Sequence, residues 1–146
     1  MTLHKRGRFH YGDAQPDIRE ELLRYSELNG YVAHYFADSI CKCGGRQFAL
    51  ALDDNEGAAA RTCRICETEH PIGGSDDYMA DATLDECACP CGQEVFEITV
   101  GVSLYEGSED VRWLYIGCRC PICGLTATYG DWKYEFNGYR ELLARA

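Results

Sequence analysis

One cysteine pattern occurs twice in this chain of 146 residues, and it constrains the fold more than any other feature. Each copy has a first cysteine pair with one residue between its members and a later pair with two residues between them. The four pairs are Cys41 and Cys43, Cys63 and Cys66, Cys89 and Cys91, and Cys120 and Cys123. Four thiolates presented from two tight turns form a ligand set for one tetrahedral metal ion. The sequence therefore predicts two metal sites, each of which suits Zn²⁺ and also accepts iron.

Glycine follows three of the four cysteine pairs, at Gly44, Gly92 and Gly124, whereas Glu67 follows the remaining pair. A residue without a Cβ atom lets backbone amides point toward the sulfurs without a clash. The run Cys120-Pro121-Ile122-Cys123-Gly124 looks like the turn known as a zinc knuckle. Through these motifs the chain resembles the zinc-ribbon and rubredoxin-like group of folds, repeated in tandem. The resemblance implies two small β modules, each closed around its metal ion by four cysteines.

Two cysteines lie outside the repeated pattern. Cys87 and Cys118 each stand two residues before a predicted ligand, and side chains two apart on a strand point the same way. Three interpretations follow: buried apolar thiols, replacement of Cys89 by Cys87 as a ligand, or a binuclear cluster with six thiolates. His34 and His70 are further candidate ligands, but four thiolates already complete each site.

The cysteine content also bears on the cellular compartment. The chain has ten cysteines, and no apolar signal core follows its first ten residues. No stretch of the sequence approaches a membrane span. Clustered cysteines favour metal over disulfides in a reducing compartment, so we expect a cytoplasmic protein without a membrane segment. The excess of arginine over lysine and the many alanines indicate a bacterial genome rich in G and C.

The spacing of apolar residues predicts an amphipathic helix over residues 16–28, which the pair Asn29-Gly30 ends. Its apolar stripe consists of Ile18, Leu22, Tyr25 and Leu28. A short helix is expected to close the chain at residues 139–145, and a helical turn is expected at residues 78–84. The basic segment 1–12 is expected to be mobile.

Strands account for most of the remaining chain. Alternating, aromatic or β-branched residues predict strands at 31–36, 48–52, 96–104, 111–117 and 126–136. The fold class is therefore α+β and mostly β, with two tandem zinc-ribbon-like modules. We divide the chain into an N-terminal arm, helix and strand (1–38), a first module with an acidic connector (39–86), and a second module with the C-terminal helix (87–146).

The chain is acidic, with a formal net charge of −10 when the cysteines are counted as thiols. Thiolate formation at two metal sites makes this charge more negative. A field of this sign repels phosphates and speeds association with a cationic partner. Aromatic residues beside acidic turns suit a protein interface. The interface candidates are Asp53, Asp54, Glu109, Asp110, Trp113, Tyr129 and Trp132.

The sequence contains no recognisable catalytic constellation. It lacks a nucleophile elbow, a phosphate-binding glycine loop and paired histidines on a helix, and four cysteines close each metal site. We therefore expect a non-catalytic zinc-binding protein that acts as a protein-interaction module, such as an adaptor, inhibitor or immunity-type protein, for a basic partner. Two alternatives are nucleic-acid or transcription-machinery binding, for which the basic cluster His4-Lys5-Arg6-Gly7-Arg8 is the candidate arm, and a rubredoxin-like redox role.

Overall fold

A computed structural model describes residues 3–146 of the chain. Within this range ten strands form three antiparallel sheets, accompanied by two α-helices and one 3₁₀-helix. The expected fold class, α+β and mostly β, is confirmed. No helix in this part of the chain combines the length and hydrophobicity that crossing a membrane requires.

The elements are distributed along the whole described chain. The strands are β1 (His4–Arg6), β2 (Phe9–Tyr11), β3 (Tyr35–Asp38), β4 (Phe48–Asp53), β5 (Ala58–Cys63), β6 (Glu69–Pro71), β7 (Asp85–Glu86), β8 (Glu97–Leu104), β9 (Val111–Arg119) and β10 (Thr126–Phe136). The helices are α1 (Asp17–Asn29), the 3₁₀-helix Ser75–Asp77 and α2 (Tyr139–Leu143).

Two four-stranded sheets form the body of the molecule. The large sheet has the strand order β10-β9-β8-β3, and the small sheet has the order β6-β5-β4-β7. The β4–β5 and β8–β9 pairs are hairpins whose open ends carry the cysteine pairs. Strand β3 precedes the first cysteine pair in sequence but pairs with β8, in the register Ala37 to Val100. The segment before the cysteines therefore supplies the outer strand of the large sheet.

Side chains between the two sheets form one apolar core. Phe48 of β4 and Phe96, just before β8, exchange backbone hydrogen bonds of 2.8 Å in both directions. Leu50, Ile98 and Ile116 are buried in the same cluster. Burial of each such side chain is worth about 1.5–3 kcal/mol, so the two cysteine-bearing hairpins stabilise each other.

Helix α1 packs on the other face of the large sheet. Alternation along β8 turns its small residues, including Gly101, toward the helix. A Cβ atom on Gly117 would lie 2.5 Å from Ile18 Cγ2, and one on Gly101 would lie 3.2 Å from Leu22 Cδ1. The glycines therefore let the helix approach the sheet closely, and β8 is buried on both faces.

The N-terminal segment, which was expected to be mobile, instead forms the β1–β2 hairpin. Gly7 turns this hairpin with a φ of 67°, a conformation that glycine adopts without a steric penalty. Tyr11 forms a β-bridge with Leu125, and Phe9 packs against the core. Apolar burial therefore orders the segment, while residues 1–2 lie outside the described chain.

The two expected α-helices are present, and both begin within one residue of their predicted positions. Leu22 of the apolar stripe is fully buried, but Leu28 is 79 % exposed in the last turn of α1. The helical turn expected at residues 78–84 is instead the 3₁₀-helix at Ser75–Asp77.

The strands predicted in the two cysteine modules are present. The strand expected at residues 31–36 is displaced and forms at Tyr35–Asp38. Ser26 Oγ accepts a hydrogen bond of 2.9 Å from the Ala33 amide, so the residues after α1 are held in a loop before pairing begins.

Candidate metal centres

The first sulfur cluster lies at the open end of the β4–β5 hairpin. Its members are Cys41, Cys43, Cys63 and Cys66, whose sulfur atoms all lie within 4.8 Å of one another. The Sγ–Sγ distance is 3.4 Å between Cys41 and Cys66 and 3.6 Å between Cys43 and Cys63. Tetrahedral coordination with metal–sulfur bonds of about 2.3 Å requires sulfur–sulfur distances of about 3.8 Å. The four sulfurs therefore fit around one metal ion with only small adjustments.

The second sulfur cluster occupies the equivalent place at the open end of the β8–β9 hairpin. Its members are Cys89, Cys91, Cys120 and Cys123, again with all sulfurs within 4.8 Å. The Sγ–Sγ distance is 3.5 Å between Cys89 and Cys123 and 3.7 Å between Cys91 and Cys120. The eight cysteines of the repeated pattern thus form two sets that could each hold one metal ion.

The first cysteine pair of each set lies in a turn with the same hydrogen bonds. The Cys41 amide donates to the Gly45 carbonyl at 2.9 Å, and the Gly44 amide donates to the Cys41 carbonyl at 2.8 Å. The second module repeats both bonds, at 2.7 and 2.8 Å. The turning glycines have positive φ angles, 91° at Gly44 and 100° at Gly92. A Cβ atom on Gly45 would lie 2.8 Å from Cys63 Sγ, so a larger residue at this position would displace that sulfur.

The second cysteine pair of each set lies in a turn that is one residue longer. The Cys120 amide donates to the Leu125 carbonyl and the Gly124 amide donates to the Cys120 carbonyl, both at 2.9 Å. The first module repeats these bonds at 3.0 Å, with Glu67 at the position of Gly124. The φ angle is 60° at Glu67 and 82° at Gly124. The turn therefore forms without glycine, although a left-handed L-residue costs roughly 1–2 kcal/mol.

Hydrogen bonds favour the thiolate form of two exposed ligands. The Thr68 hydroxyl and amide lower the pKa of Cys66 to about 6, and the Gln93 amide lowers the pKa of Cys91 to about 7. Burial has the opposite effect at Cys89 and raises its pKa. A bound cation would favour thiolate at all four positions of each set, because the metal ligand is the deprotonated sulfur.

A buried arginine lies beside the first cluster. Arg61 is 5 % exposed, and its guanidinium carbon is 4.4 Å from the centre of the Phe48 ring. Its Nη2 and Nε atoms donate to the main-chain oxygen of Ala146 at 2.8 and 3.1 Å. Burial lowers the pKa of Arg61, and the neighbouring Cys41 and Cys63 sulfurs counteract that effect. Four thiolates around a divalent ion would leave a negative complex, which this guanidinium would partly compensate.

No sequence pattern singles out Arg61. The only signal was a single charged residue in the otherwise alanine-rich strand β5. Arg61 borders an open cavity of about 610 Å³ that is also lined by the exposed ligands Cys43 and Cys66. The first cluster therefore has a buried side, near the guanidinium, and a side that faces solvent.

The two additional cysteines belong to neither cluster among residues 3–146. Cys118 is fully buried and Cys87 is half-buried. Burial raises the pKa of both thiols, to about 11 at Cys87. The second cluster contains Cys89 and not Cys87, so the structure favours the interpretation of both extra cysteines as packed thiols.

The two candidate histidines also lie outside the sulfur clusters. His34 Nδ1 accepts a hydrogen bond of 3.1 Å from the Leu104 amide. His70 Nε2 lies 2.9 Å from the Arg145 carbonyl oxygen. Each histidine therefore has a backbone partner, and neither completes a metal site.

The first acidic candidates lie at the tip of the β4–β5 hairpin. Asp53 accepts a hydrogen bond of 2.8 Å from the Thr83 amide, and this bond is the main cause of its lowered pKa. Asp54 is exposed, although its partial burial and the Asp131 carboxylate raise its pKa. Asp53 is thus part of the turn, whereas Asp54 is directed to solvent.

The second acidic pair, at the tip of the β8–β9 hairpin, contacts the C-terminal region. Glu109 forms an ion pair with Arg140, and Asp110 accepts a hydrogen bond of 3.1 Å from the Gly138 amide. These carboxylates hold the start of α2 against the hairpin.

The aromatic candidates differ in exposure. Trp132 is only 6 % exposed and belongs to the core between the sheets. Tyr129 is half-buried, with its ring centre 4.9 Å from that of Phe96. Trp113 is half-buried and its Nε1 donates to Asp131 at 2.9 Å. Trp132 is thus a core residue, whereas Trp113 and Tyr129 retain some exposed surface.

No protein-family model, no curated protein and no solved structure matches the chain. The candidate metal centres therefore rest on the geometry of the cysteines. Two sets of four are compatible with tandem zinc-ribbon-like modules.

Proposed function

We propose that this protein is a non-catalytic, cytoplasmic zinc-binding module that binds a cationic protein, as an adaptor, an inhibitor or an immunity-type protein. The observation that carries the proposal is a concentration of carboxylates on one edge of the small sheet. The metal centres support it by keeping the hairpins that form this edge in place.

The negative charge of the chain comes from one segment. Residues 65–111 contain twelve carboxylates and neither lysine nor arginine. The rest of the chain has fourteen basic residues and twelve carboxylates, so it carries a slight positive charge. The charges are therefore segregated along the sequence, and a surface on which the fold gathers carboxylates attracts and orients a cationic partner.

The fold brings carboxylates from two distant parts of the chain together. Strand β7 pairs with β4 in the register Leu52 to Asp85, and the Thr83 amide donates to Asp53. The resulting surface, here called the acidic edge, consists of Asp53, Asp54, Glu56, Asp85 and Glu86. Because β7 is the outer strand of the small sheet, no further strand of this sheet covers these residues.

Carboxylates at and beside this surface repel each other. Burial together with the Asp131 and Asp53 carboxylates raises the pKa of Asp54. A cation that approaches Asp54 would relieve this repulsion, whereas an anion would increase it. The acidic edge therefore favours lysine or arginine side chains of a partner and disfavours phosphates.

Zinc is proposed for both centres because four thiolates in tetrahedral geometry form a closed structural zinc site. An ion bound by all four cysteines has no open position for a substrate. Its contribution is to join the two turns at the open end of a hairpin, which supports the core and the acidic edge.

The proposal is tested by identifying a partner and then neutralising the acidic edge. The tagged, metal-loaded protein is purified gently from its native host with nuclease treatment, and retained proteins are identified by mass spectrometry. We expect one stoichiometric basic protein. Its affinity for the purified chain is then measured by titration calorimetry at two salt concentrations, because a charge-driven contact weakens as salt rises.

Two variants with equal charge change make the second step specific. The edge variant is Asp54→Asn, Glu56→Gln, Asp85→Asn and Glu86→Gln, which leaves the turn residue Asp53 intact. The control variant changes four exposed glutamates elsewhere, Glu27, Glu94, Glu106 and Glu141, to glutamine. We expect the edge variant to lose at least about tenfold in affinity and the control to change little. The proposal would be contradicted if both variants lost affinity equally, or if no basic protein co-purified with the chain.

A further inference from the structure

A second charged surface, opposite in sign, lies on the β1–β2 hairpin. Lys5, Arg6 and Arg8 are all exposed, and the first carboxylate of the chain is Asp13. Within residues 3–146 the ion pairs involve other basic residues, so none of these three has a carboxylate oxygen within 4.0 Å. Lys5, Arg6 and Arg8 are here called the basic hairpin.

Aromatic rings hold the two guanidinium groups of this surface. The guanidinium carbon of Arg6 is 4.2 Å from the centre of the Tyr11 ring, and that of Arg8 is 5.3 Å from the centre of the Phe9 ring. Both rings pack against the core of the protein. The cation–π contacts therefore limit the motion of the arginines and reduce the entropy lost when they bind a ligand.

The hairpin is anchored to the rest of the molecule beside the second metal centre. The Gly12 amide donates to the Gly124 carbonyl at 2.9 Å, in the turn that carries Cys123. Arg119 Nε donates to the Gly12 carbonyl at 2.9 Å. The basic hairpin is therefore a fixed part of the folded surface.

The chemistry of this surface fits a nucleic acid strand. When one face of a guanidinium lies on an aromatic ring, its opposite face and its N–H edge remain available to a ligand. The edge suits bidentate contact with a phosphate, and the free face suits stacking with an unpaired base. Phe9 and Tyr11 are partly buried against the core, and the Arg8 and Arg6 guanidinium groups lie over their rings, so neither ring is free to insert into a lipid bilayer.

We infer that the basic hairpin binds the sugar–phosphate backbone of a single-stranded nucleic acid without base specificity. This site is separate from the acidic edge and does not depend on the cationic protein partner. The carboxylates concentrated in residues 65–111 direct the nucleic acid to the hairpin by repelling it elsewhere.

Fluorescence anisotropy with labelled oligo-dT and oligo-U of 20 nucleotides tests this inference on the full, zinc-loaded chain. Three phosphate contacts predict that log Kd rises with log salt concentration with a slope of about 2. The variant Lys5→Ala, Arg6→Ala and Arg8→Ala should bind at least about tenfold more weakly and lose most of this slope. Absence of binding by the wild-type protein at low salt overturns the inference.

Two further variants separate local contact from general charge. The control Lys133→Ala, Arg140→Ala and Arg145→Ala removes the same charge from exposed positions elsewhere and should bind within about twofold of the wild type. The variant Arg6→Lys and Arg8→Lys keeps the charge but should still weaken binding, because lysine cannot stack on a base. Equal loss in the control overturns the site, and full binding by the lysine variant overturns base stacking.

Competition identifies the class of ligand. Unlabelled oligo-dT should displace the labelled strand, whereas poly-glutamate of equal charge and vesicles with phosphatidylserine should not. Displacement by poly-glutamate at equal concentration would assign the surface to an acidic protein, and displacement by the vesicles would assign it to a membrane. Either result overturns the inference.

Discussion

The Arg61 guanidinium and the main-chain oxygen of Ala146, 85 residues apart in sequence, are joined by two hydrogen bonds of 2.8 and 3.1 Å. The same guanidinium lies beside the first sulfur cluster and over the Phe48 ring. One side chain therefore connects a metal centre, the apolar core and the last residue of the described chain. Loss of its charge should therefore affect the metal centre, the core and the C-terminal contact.

Replacing Arg61 with methionine keeps apolar contact with Phe48 but removes the charge. We expect weaker metal binding at the first site only, because the negative thiolate complex loses its neighbouring cation. The main-chain oxygen of Ala146 would also lose both hydrogen bonds, which should cost about 1–3 kcal/mol of unfolding free energy. Chelator competition measures the metal affinities, and Arg61→Lys serves as the charge-retaining control. Unchanged affinity in the methionine variant would contradict this role.

Replacing Gly117 with alanine should destabilise the protein by about 1–3 kcal/mol, because the new Cβ atom would meet Ile18 Cγ2 at 2.5 Å. Denaturant unfolding measures the loss. Ile18→Ala is destabilising alone, but in the double variant it removes the closest of the clashing atoms and leaves only Leu22 at 2.9 Å, so the two losses should be less than additive. Strict additivity would show that α1 does not pack against Gly117.

The two longer cysteine turns should respond differently to the same kind of substitution. Gly124→Ala should cost at least about 1 kcal/mol, because φ is positive and the new Cβ atom would lie 3.0 Å from the Gly12 carbonyl oxygen. Glu67→Gly should leave the free energy of unfolding within about 1 kcal/mol of the wild type. Glycine relieves the backbone strain of the positive φ in the folded state, but it also raises the conformational entropy of the unfolded chain, and the two effects oppose each other. Unfolding of both metal-loaded variants is the measurement. A larger loss for Glu67→Gly than for Gly124→Ala would be the contrary result.

Removing one metal ligand should affect the whole molecule, because both modules share a core. Cys120→Ser should lower the metal content from two ions per chain to one and lower the melting temperature of a single cooperative transition. Structural zinc binding is worth about 10–16 kcal/mol in small peptides, so the effect should be large. Cys118→Ala is the control and should keep both ions. Elemental analysis and calorimetry measure the result, and two ions retained by Cys120→Ser would refute the ligand assignment.

Alkaline pH should weaken the contact between α1 and β10. Burial and the hydrogen bond to Asp131 raise the pKa of Tyr25 to about 12, above the value of about 10 in an unfolded chain. The neutral phenol is therefore favoured by folding, and its contribution is complete below pH 10 and lost as pH rises toward 12. Unfolding free energies from pH 9 to 12 should fall less steeply in Tyr25→Phe. An identical pH slope in both proteins would argue against this linkage.

Local patterns determined much of this structure. The spacing of the eight cysteines predicts two sulfur clusters, since each close pair lies in one tight turn and a hairpin between two such turns brings four sulfurs together. Periodicity likewise predicts α1 and the long strands, because a helix or strand exposes one face by its own geometry. These features follow from the spacing of residues along the chain, so they can be predicted from the sequence alone.

Contacts between distant residues were decided only by the tertiary structure. Strand β3 pairs with β8, Arg61 reaches Ala146, and Asp85 joins Asp53 in the acidic edge. The basic N-terminal segment is ordered because Tyr11 reaches Leu125. No local pattern specifies such partners, because each contact depends on how the two hairpins pack through their common core. The sequence by itself thus determined the candidate ligands and the longer elements, whereas packing decided which short strands formed and which charges became neighbours.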